Sequence, residues 1–114
     1  MRSASRLFVL SLLIGALAIG TALLIRTVQQ RAHPRVVLTW HPSSPVNGAP
    51  VTGYNVYRST ISGGPYVRLA TRASDASYTD TIVSSGRTYF YVVTAVDQSS
   101  RESSYSNETR VVVP

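Results

Sequence analysis

The stretch Thr88–Asp97, TYFYVVTAVD, decides the fold, because β-branched and aromatic residues follow one another in it without a turn residue. At the period of two that a strand imposes, one face carries a continuous apolar set. That set is Tyr89, Tyr91, Val93 and Ala95. The stretch therefore predicts a long β-strand that packs one face against a core.

Shorter runs of the same kind occur on both sides, and clusters of proline, glycine, serine and asparagine separate them. They are Val36–Trp40, Val51–Ser59, Tyr66–Ala70, Ser77–Thr79 and Tyr105–Val113. Strands this short need two packed faces, since one small open sheet would leave its apolar face in water. The sequence predicts an all-β domain over 36–114. Its inward-facing core residues are Trp40, Tyr54, Val56, Tyr78, Tyr89, Tyr91 and Val93.

The segment Leu7–Ile25 has a different character, because it is an uncharged apolar run bounded by Arg6 and Arg26. A helix of this length matches the hydrocarbon core of a bilayer, which is about 30 Å thick. We therefore expect a single transmembrane helix or signal anchor over 7–25, with the lipid bilayer as its partner. A basic tail at 1–6 precedes it, and a stalk at 26–35 follows it.

Cleavage of this segment is the alternative to a retained anchor. Arg2 supplies the basic start of a signal peptide, and Ala16–Ala18 and Gly20–Ala22 have the small-x-small form of a cleavage site. Both forms lie inside the apolar run, which is long for a signal core, so a retained anchor is favoured. Small residues would share one face of the helix and predict weak self-association. They are Ser11, Gly15, Ala18 and Ala22.

The net charge of +6 is concentrated beside the apolar run. Residues 1–35 contain no acid, whereas all five acidic residues lie in 36–114 and nearly balance the arginines there. A nucleic-acid-binding domain is expected to carry a basic stripe on its own surface, so we expect no nucleic-acid partner. The chain has no cysteine, which excludes disulfides and thiolate metal sites.

Several segments of the chain, in this order and at this spacing, resemble the fibronectin type III domain in the compact form of bacterial exported proteins. They are Val37–Trp40, Val51–Arg58, Ser62–Tyr66, Ser77–Thr81, Gly86–Asp97 and Glu102–Glu108. The resemblance implies an immunoglobulin-like β-sandwich. The expected fold of the whole chain is therefore this all-β sandwich preceded by a single transmembrane helix.

The resemblance also assigns roles and shows one departure. Trp40 matches the core tryptophan of the family's second strand, strand B. Tyr89 matches the tyrosine whose hydroxyl bonds to upstream backbone, here within Thr81–Gly86. No first strand, strand A, is evident before Val36, so Gln30–Pro34 would supply it or it is absent, which would leave an edge open for pairing.

No catalytic residue, metal site or cofactor is predicted. The two histidines, His33 and His41, have no acidic or histidine neighbour at ligand spacing. No glycine-rich phosphate loop precedes a helix, and the acids sit in or beside turns, where they usually bond to backbone. We therefore expect a protein that is not an enzyme.

Exposed aromatic and charged residues give a candidate binding surface. Tyr57 and Phe90 are expected to point away from the core on neighbouring strands, where two rings stack on a sugar or anchor a protein. Asp97, Arg101 and Glu102 lie in one polar loop, and loops of sandwich domains often carry binding residues.

The predicted function is a non-enzymatic, membrane-tethered module for protein-protein interaction or spacing at the bacterial cell envelope. The alternative is a secreted module, released by signal-peptide cleavage, that associates with carbohydrate. The arginines on the two sides of the apolar run weakly favour an orientation with the C-terminus in the cytoplasm, whereas the resemblance favours an exported domain. We expect an exported domain, periplasmic or extracellular, on a single-pass protein whose protein or glycan partner the sequence does not name.

Overall fold

The computed structural model describes residues 8–12, 24–29, 33–44 and 49–114. These residues form strands, turns and loops without an α-helix. The strands are β1 Phe8–Leu12, β2 Leu24–Gln29, β3 Arg35–Trp40, β4 Val51–Ser59, β5 Val67–Ala73, β6 Ser77–Asp80, β7 Thr88–Asp97 and β8 Thr109–Val112. They make two antiparallel four-stranded sheets with the orders β1-β2-β3-β6 and β5-β4-β7-β8. The predicted all-β sandwich is confirmed.

Alternating side chains from both sheets fill the core. On β3 the burial alternates along the strand, so that Val36, Leu38 and Trp40 point inward. Trp40 meets Tyr54 of the opposite sheet edge-on, with ring centroids 5.4 Å apart, a geometry that aromatic pairs prefer. All but one of the predicted core residues are buried, and the exception, Tyr78, is half-buried against them.

A hydrogen bond from the β6–β7 loop to β7 closes the corner before that strand. The Ser84 N–H donates to the Tyr89 hydroxyl at 2.9 Å, within the upstream segment Thr81–Gly86 that the resemblance implies. Because the ring of Tyr89 is buried while its hydroxyl reaches the loop, this one side chain fixes the connection from β6 to β7.

The strands β4 and β7 have the predicted bounds, but the last predicted strand differs. Only Thr109–Val112 pairs with β7, so the prediction of a strand over Tyr105–Val113 is wrong in its first half. The physical reason lies in Ser103 and Ser106, which bond to β7 through their side chains as well as their backbone.

These two serines substitute for a regular ladder along β7. Each donates its backbone N–H to a β7 carbonyl at 2.8 Å, Ser103 to Ala95 and Ser106 to Val93. Each also accepts the N–H of the same β7 residue on its hydroxyl, at 2.9 and 2.8 Å respectively. The serine hydroxyls accept the β7 N–H groups that a backbone carbonyl of a neighbouring strand would otherwise accept. The chain between the serines therefore need not be an extended strand, and Tyr105 lies on the outer face of the sheet.

The N-terminal segment differs from the predicted helix. Phe8–Leu12 and Leu24–Gln29 are strands, although the first lies within the predicted span 7–25 and the second overlaps its end and the stalk 26–35. None of the residues described here belongs to a helix long and apolar enough to span a bilayer. The transmembrane helix is therefore not supported, and the tail 1–6 and residues 13–23 lie outside the described residues. Of the predicted self-association face, only Ser11, in β1, is described.

β2 occupies the place of strand A, which was expected from Gln30–Pro34 or not at all. It pairs antiparallel with β3, from Leu24 opposite Trp40 to Gln29 opposite Arg35. Periodicity alone cannot distinguish an apolar helix from a buried strand. Pairing with β3 gives the backbone groups of both strands their partners and covers the edge that would otherwise be open.

Candidate binding surface

The outer face of the β5-β4-β7-β8 sheet carries a row of three tyrosine rings. The ring of Tyr105 lies in the middle, 5.2 Å from that of Tyr57 and 5.0 Å from that of Tyr66 between centroids. The interplanar angles are 72° and 66°, so both contacts are edge-to-face. The row joins β4, the turn before β5 and the connection from β7 to β8.

A glutamate holds each outer ring of the row. At one end, Glu102 is placed beside β7 by a backbone bridge to Val96. Its Oε2 accepts a hydrogen bond from the Tyr57 hydroxyl, a second from Thr94 Oγ1 at 2.6 Å and a third from Asn55 Nδ2 at 3.0 Å. Three neutral donors from two neighbouring strands therefore converge on one carboxylate oxygen.

Glu108 does the same at the other end of the row. It accepts hydrogen bonds from the Tyr66 hydroxyl, from Ser62 Oγ at 2.6 Å and from the Gly63 N–H at 2.7 Å. Gly63 has a φ of 85°, a left-handed conformation that glycine adopts without strain, and this conformation forms the turn that bonds to Glu108. We call Tyr57, Tyr66, Tyr105, Glu102 and Glu108 together the tyrosine–glutamate surface.

Both hydrogen-bonded pairs of this surface keep their proton on the tyrosine. Burial and the hydrogen bond to Glu108 together raise the pKa of Tyr66 to about 12. Burial and the hydrogen bond to Glu102 likewise raise the pKa of Tyr57. Burial alone would raise the pKa of Glu102 and Glu108, but the donors around them outweigh it and lower both. The carboxylates are therefore ionised and the phenols protonated at neutral pH.

A pocket of about 360 Å³ opens between Tyr57 and Tyr105. Its walls also include Thr94, Glu102 and the backbone segment Ser103–Ser104. Tyr105 is 48% exposed, and no hydrogen bond to its hydroxyl is found among the described residues. The central ring is thus held by its neighbours while its polar tip remains available.

The predicted binding residues divide into two groups. Tyr57 and Glu102 are brought together, as described. Phe90 is half-buried opposite Ser59 and Arg110, and within the described residues it makes no ring contact with Tyr57. The ring that Tyr57 contacts is that of Tyr105, in the β7–β8 connection, and Phe90 is not part of this row.

Asp97 and Arg101 form a turn of their own. Asp97 is buried, and its Oδ2 accepts a hydrogen bond from Arg101 Nε at 2.7 Å. Its Oδ1 accepts the backbone N–H groups of Ser99 and Arg101. Burial works against the charge of Asp97, but these donors lower its pKa below the ordinary value. The pair stabilises the β7 turn and does not join the tyrosine–glutamate surface.

Tyr66 and Tyr105 were missed as surface residues. Each stands at the start of a predicted strand, Tyr66–Ala70 or Tyr105–Val113, and the strand pattern says only whether a ring points to the core or to solvent. The available signal was the segment ESSYSNE, Glu102–Glu108, in which one tyrosine stands between two glutamates and two serines are spaced for side-chain bonds to a strand.

A second polar cluster, inside the sandwich, was also missed. Asp80 is 1% exposed and accepts hydrogen bonds from Arg58 Nη1 at 2.8 and 3.0 Å and from the Tyr91 hydroxyl at 2.7 Å. Arg58 also lies over the Tyr89 ring, 5.5 Å from its centroid. The cluster joins β6 to the opposite sheet. No group of three or more metal-ligating side chains occurs in the described part of the chain.

No protein-family model matches the chain. The amylopullulanase of Thermoanaerobacter thermohydrosulfuricus is 51% identical over 55 residues, which are 48% of this chain and 4% of that enzyme. The amylopullulanase of Thermoanaerobacterium saccharolyticum is 40% identical over 75 residues, 66% of this chain and 6% of the enzyme. The chain thus spans only a few per cent of the length of these curated relatives.

A solved structure of similar size gives the stronger relationship. The Fn3-like protein from Clostridium thermocellum is 40% identical and superposes with a TM-score of 0.63. The similarity covers 75% of this chain and 82% of that protein. The two packed four-stranded sheets of this chain agree with it. The chain therefore belongs to the fibronectin type III-like family.

Proposed function

We propose that this domain is a non-catalytic, carbohydrate-associated module that contacts a glycan through the tyrosine–glutamate surface. The observation that carries the proposal is the exposed ring of Tyr105, fixed between two further rings with an ionised carboxylate at each end. Aromatic rings pack against the C–H groups of a sugar, and carboxylates accept hydrogen bonds from its hydroxyls. A surface whose side chains are already ordered loses little entropy on binding.

The relatives support an association with carbohydrate. Enzymes named amylopullulanase contain a segment similar to this chain, although that segment is a small part of each enzyme. An accessory domain of such an enzyme has a physical use in holding the enzyme near a polymeric substrate, because a second attachment raises the effective concentration.

Three acids of the domain favour a non-catalytic role. Glycoside hydrolysis by paired carboxyl groups needs one of them to be a proton donor with a raised pKa. Glu102, Glu108 and Asp97 have lowered pKa values instead, because the hydrogen bonds that they accept outweigh the effect of burial. Each is therefore suited to accept a hydrogen bond and not to supply a proton.

Binding of the full chain to a glycan array that includes malto-oligosaccharides and pullulan tests the proposal. We expect Tyr105→Ala to weaken any binding about tenfold or more, as loss of a central aromatic anchor does. Ile82→Ala is the matched control, since Ile82 is exposed and lies outside the surface. Absence of binding to every glycan, or equal loss in both variants, contradicts the proposal.

A membrane-tethered module for protein contact or spacing at the cell envelope is the second candidate. The uncharged run Leu7–Ile25 between two arginines favours it. β2 begins at Leu24, so a membrane segment and the first sheet would compete for Leu24 and Ile25. Two experiments on separate samples test it: membrane fractionation, and protease treatment of intact cells. An anchored, exported domain is expected in the membrane fraction and open to protease, and a chain released by carbonate washing contradicts it.

A further inference from the structure

The two glutamates of the tyrosine–glutamate surface differ from Asp80 and Asp97 in forming no salt bridge in the described part of the chain. Asp80 pairs with Arg58 at 2.8 Å and Asp97 with Arg101 at 2.7 Å. Within the described ranges no ion pair to Glu102 or Glu108 is found, and their donors are neutral hydroxyl, amide and backbone groups. The two carboxylates thus keep their charge through neutral hydrogen-bond donors and without a salt bridge.

Glu102 lines a pocket. The pocket of about 360 Å³ has Tyr57 and Tyr105 as its aromatic walls and the Glu102 carboxylate beside them. Ligand pockets in proteins hold about 300–1,000 Å³, so this one suits a single small ring. Ring faces and an unpaired carboxylate are the two features that attract an organic ammonium group.

Arg68 is the charged residue beside Tyr57. It lies on β5, paired with Tyr57 across the strands, and its side chain forms a hydrogen bond with the Tyr57 side chain. Its positive charge also helps to lower the pKa of Glu102, although less than the three hydrogen bonds do. Arg68 therefore opposes a cation in the pocket, and its removal should favour one.

We propose that the pocket between Tyr57, Tyr105 and Glu102 binds an amino sugar, with the free primary ammonium group of the sugar beside the Glu102 carboxylate. The inference rests on the proposed function, since it names the class of sugar that the surface prefers. The sugar ring packs against the tyrosines, and the hydroxyl of Tyr105 and the Thr94 side chain border the same space. A neutral or N-acetylated sugar makes the ring contacts but not the charged one.

Titration calorimetry of the full chain with three oligosaccharides of equal length tests this preference. They are a β-linked glucosamine oligomer, its fully N-acetylated counterpart and a malto-oligosaccharide, at a mildly acidic pH that protonates the amine. We expect the glucosamine oligomer to bind about tenfold more tightly than the other two, the size of one charge-assisted contact. The preference should shrink as salt is added, because a charged contact near the surface is screened.

Two charge variants of similar size give the matched comparison. Glu102→Gln keeps the shape of the side chain and should remove the preference for the amine, so that the free, the N-acetylated and the neutral oligosaccharides bind with similar affinity. Arg68→Gln should raise the affinity for the glucosamine oligomer without affecting the neutral ones. The salt series on the unaltered chain gives the same answer if either variant fails to fold.

The outcomes separate the two proposals. Equal binding of the free and acetylated oligomers overturns the amino-sugar site and leaves the carbohydrate-associated function standing. Binding of no oligosaccharide overturns both. A lysine tripeptide that binds as tightly as the glucosamine oligomer also overturns the amino-sugar site, because the pocket would then recognise an ammonium group without its sugar.

Discussion

The interior cluster around Asp80 and the exterior cluster around Glu102 use the same chemical pair in opposite ways. In each, a tyrosine hydroxyl donates to a carboxylate, Tyr91 to Asp80 and Tyr57 to Glu102. Asp80 is 1% exposed and has an arginine at 2.8 Å, whereas Glu102 is exposed and has neutral donors only. Removed from water, a carboxylate needs a cation close by, while at the surface solvent fulfils that need.

The comparison teaches how to separate a structural acid from one that is available to a ligand. The Asp80 carboxylate is buried, and its side-chain partners, Arg58 and Tyr91, lie on the opposite sheet. The Glu102 carboxylate is ordered by its neighbours but faces a pocket, and the hydrogen bonds described for it all fall on Oε2. Order combined with an unpaired charge marks the exterior cluster as the one that can bind.

Removal of the interior carboxylate should give the largest effect. We expect Asp80→Ala to lower the free energy of unfolding by about 3–5 kcal/mol, because it leaves Arg58, whose side chain is 19% exposed, without its partner. Glu102→Ala is the exterior counterpart and should cost about 1 kcal/mol or less. Urea unfolding at neutral pH measures both. Equal costs would break the comparison between the two clusters.

The turn that supports Tyr66 offers a smaller test. Gly64 has a φ of 91°, and a Cβ atom there would lie 3.0 Å from Cδ2 of the Tyr66 ring. Gly63 has a φ of 85° with open space around it. We expect both alanine variants to lose about 1 kcal/mol through backbone strain, since a left-handed φ disfavours a Cβ.

The two glycine variants should differ in the ring row. Only Gly64→Ala should shift the aromatic NMR signals of Tyr66 and Tyr105, because only there does the new methyl group meet a ring. Identical spectra for the two variants would show that the ring row does not depend on this turn.

The pH dependence of stability should show the smallest effect, at roughly 1 kcal/mol or less for each exposed pair. Glu108 has a lowered pKa, so its contribution is complete above the ordinary value of 4.5 and is lost as pH falls through the folded value. Tyr66 has its pKa raised to about 12, so its contribution is complete below 10.0 and is lost as pH rises towards 12.

Thermal melting across pH measures the two losses. Glu108→Gln should flatten the acid side of the stability curve and Tyr66→Phe the alkaline side. Curves that run parallel to that of the unaltered chain on those sides would show that the Glu108–Tyr66 pair contributes nothing to folding.

The sandwich was largely predictable from sequence, and the surface was not. β4 and β7 follow from local period and residue type, and Trp40 and Tyr89 follow from the family resemblance. The position of Tyr105 depends instead on where Ser103 and Ser106 attach to β7, which is a long-range fact that no local pattern encodes. β1 and the first two residues of β2 fall within the predicted helix 7–25, because an apolar run fits a helix or a strand until a pairing edge is known.

The attachment of the β7–β8 connection by serine hydroxyls has a consequence for how this surface can be altered. Two single-atom groups, one on Ser103 and one on Ser106, set the path of the loop that presents Tyr105. Their loss would redirect the loop while every apolar contact of the sandwich stayed in place. Substitution of these two serines would therefore alter the tyrosine–glutamate surface, with the cost to folding confined to a few hydrogen bonds.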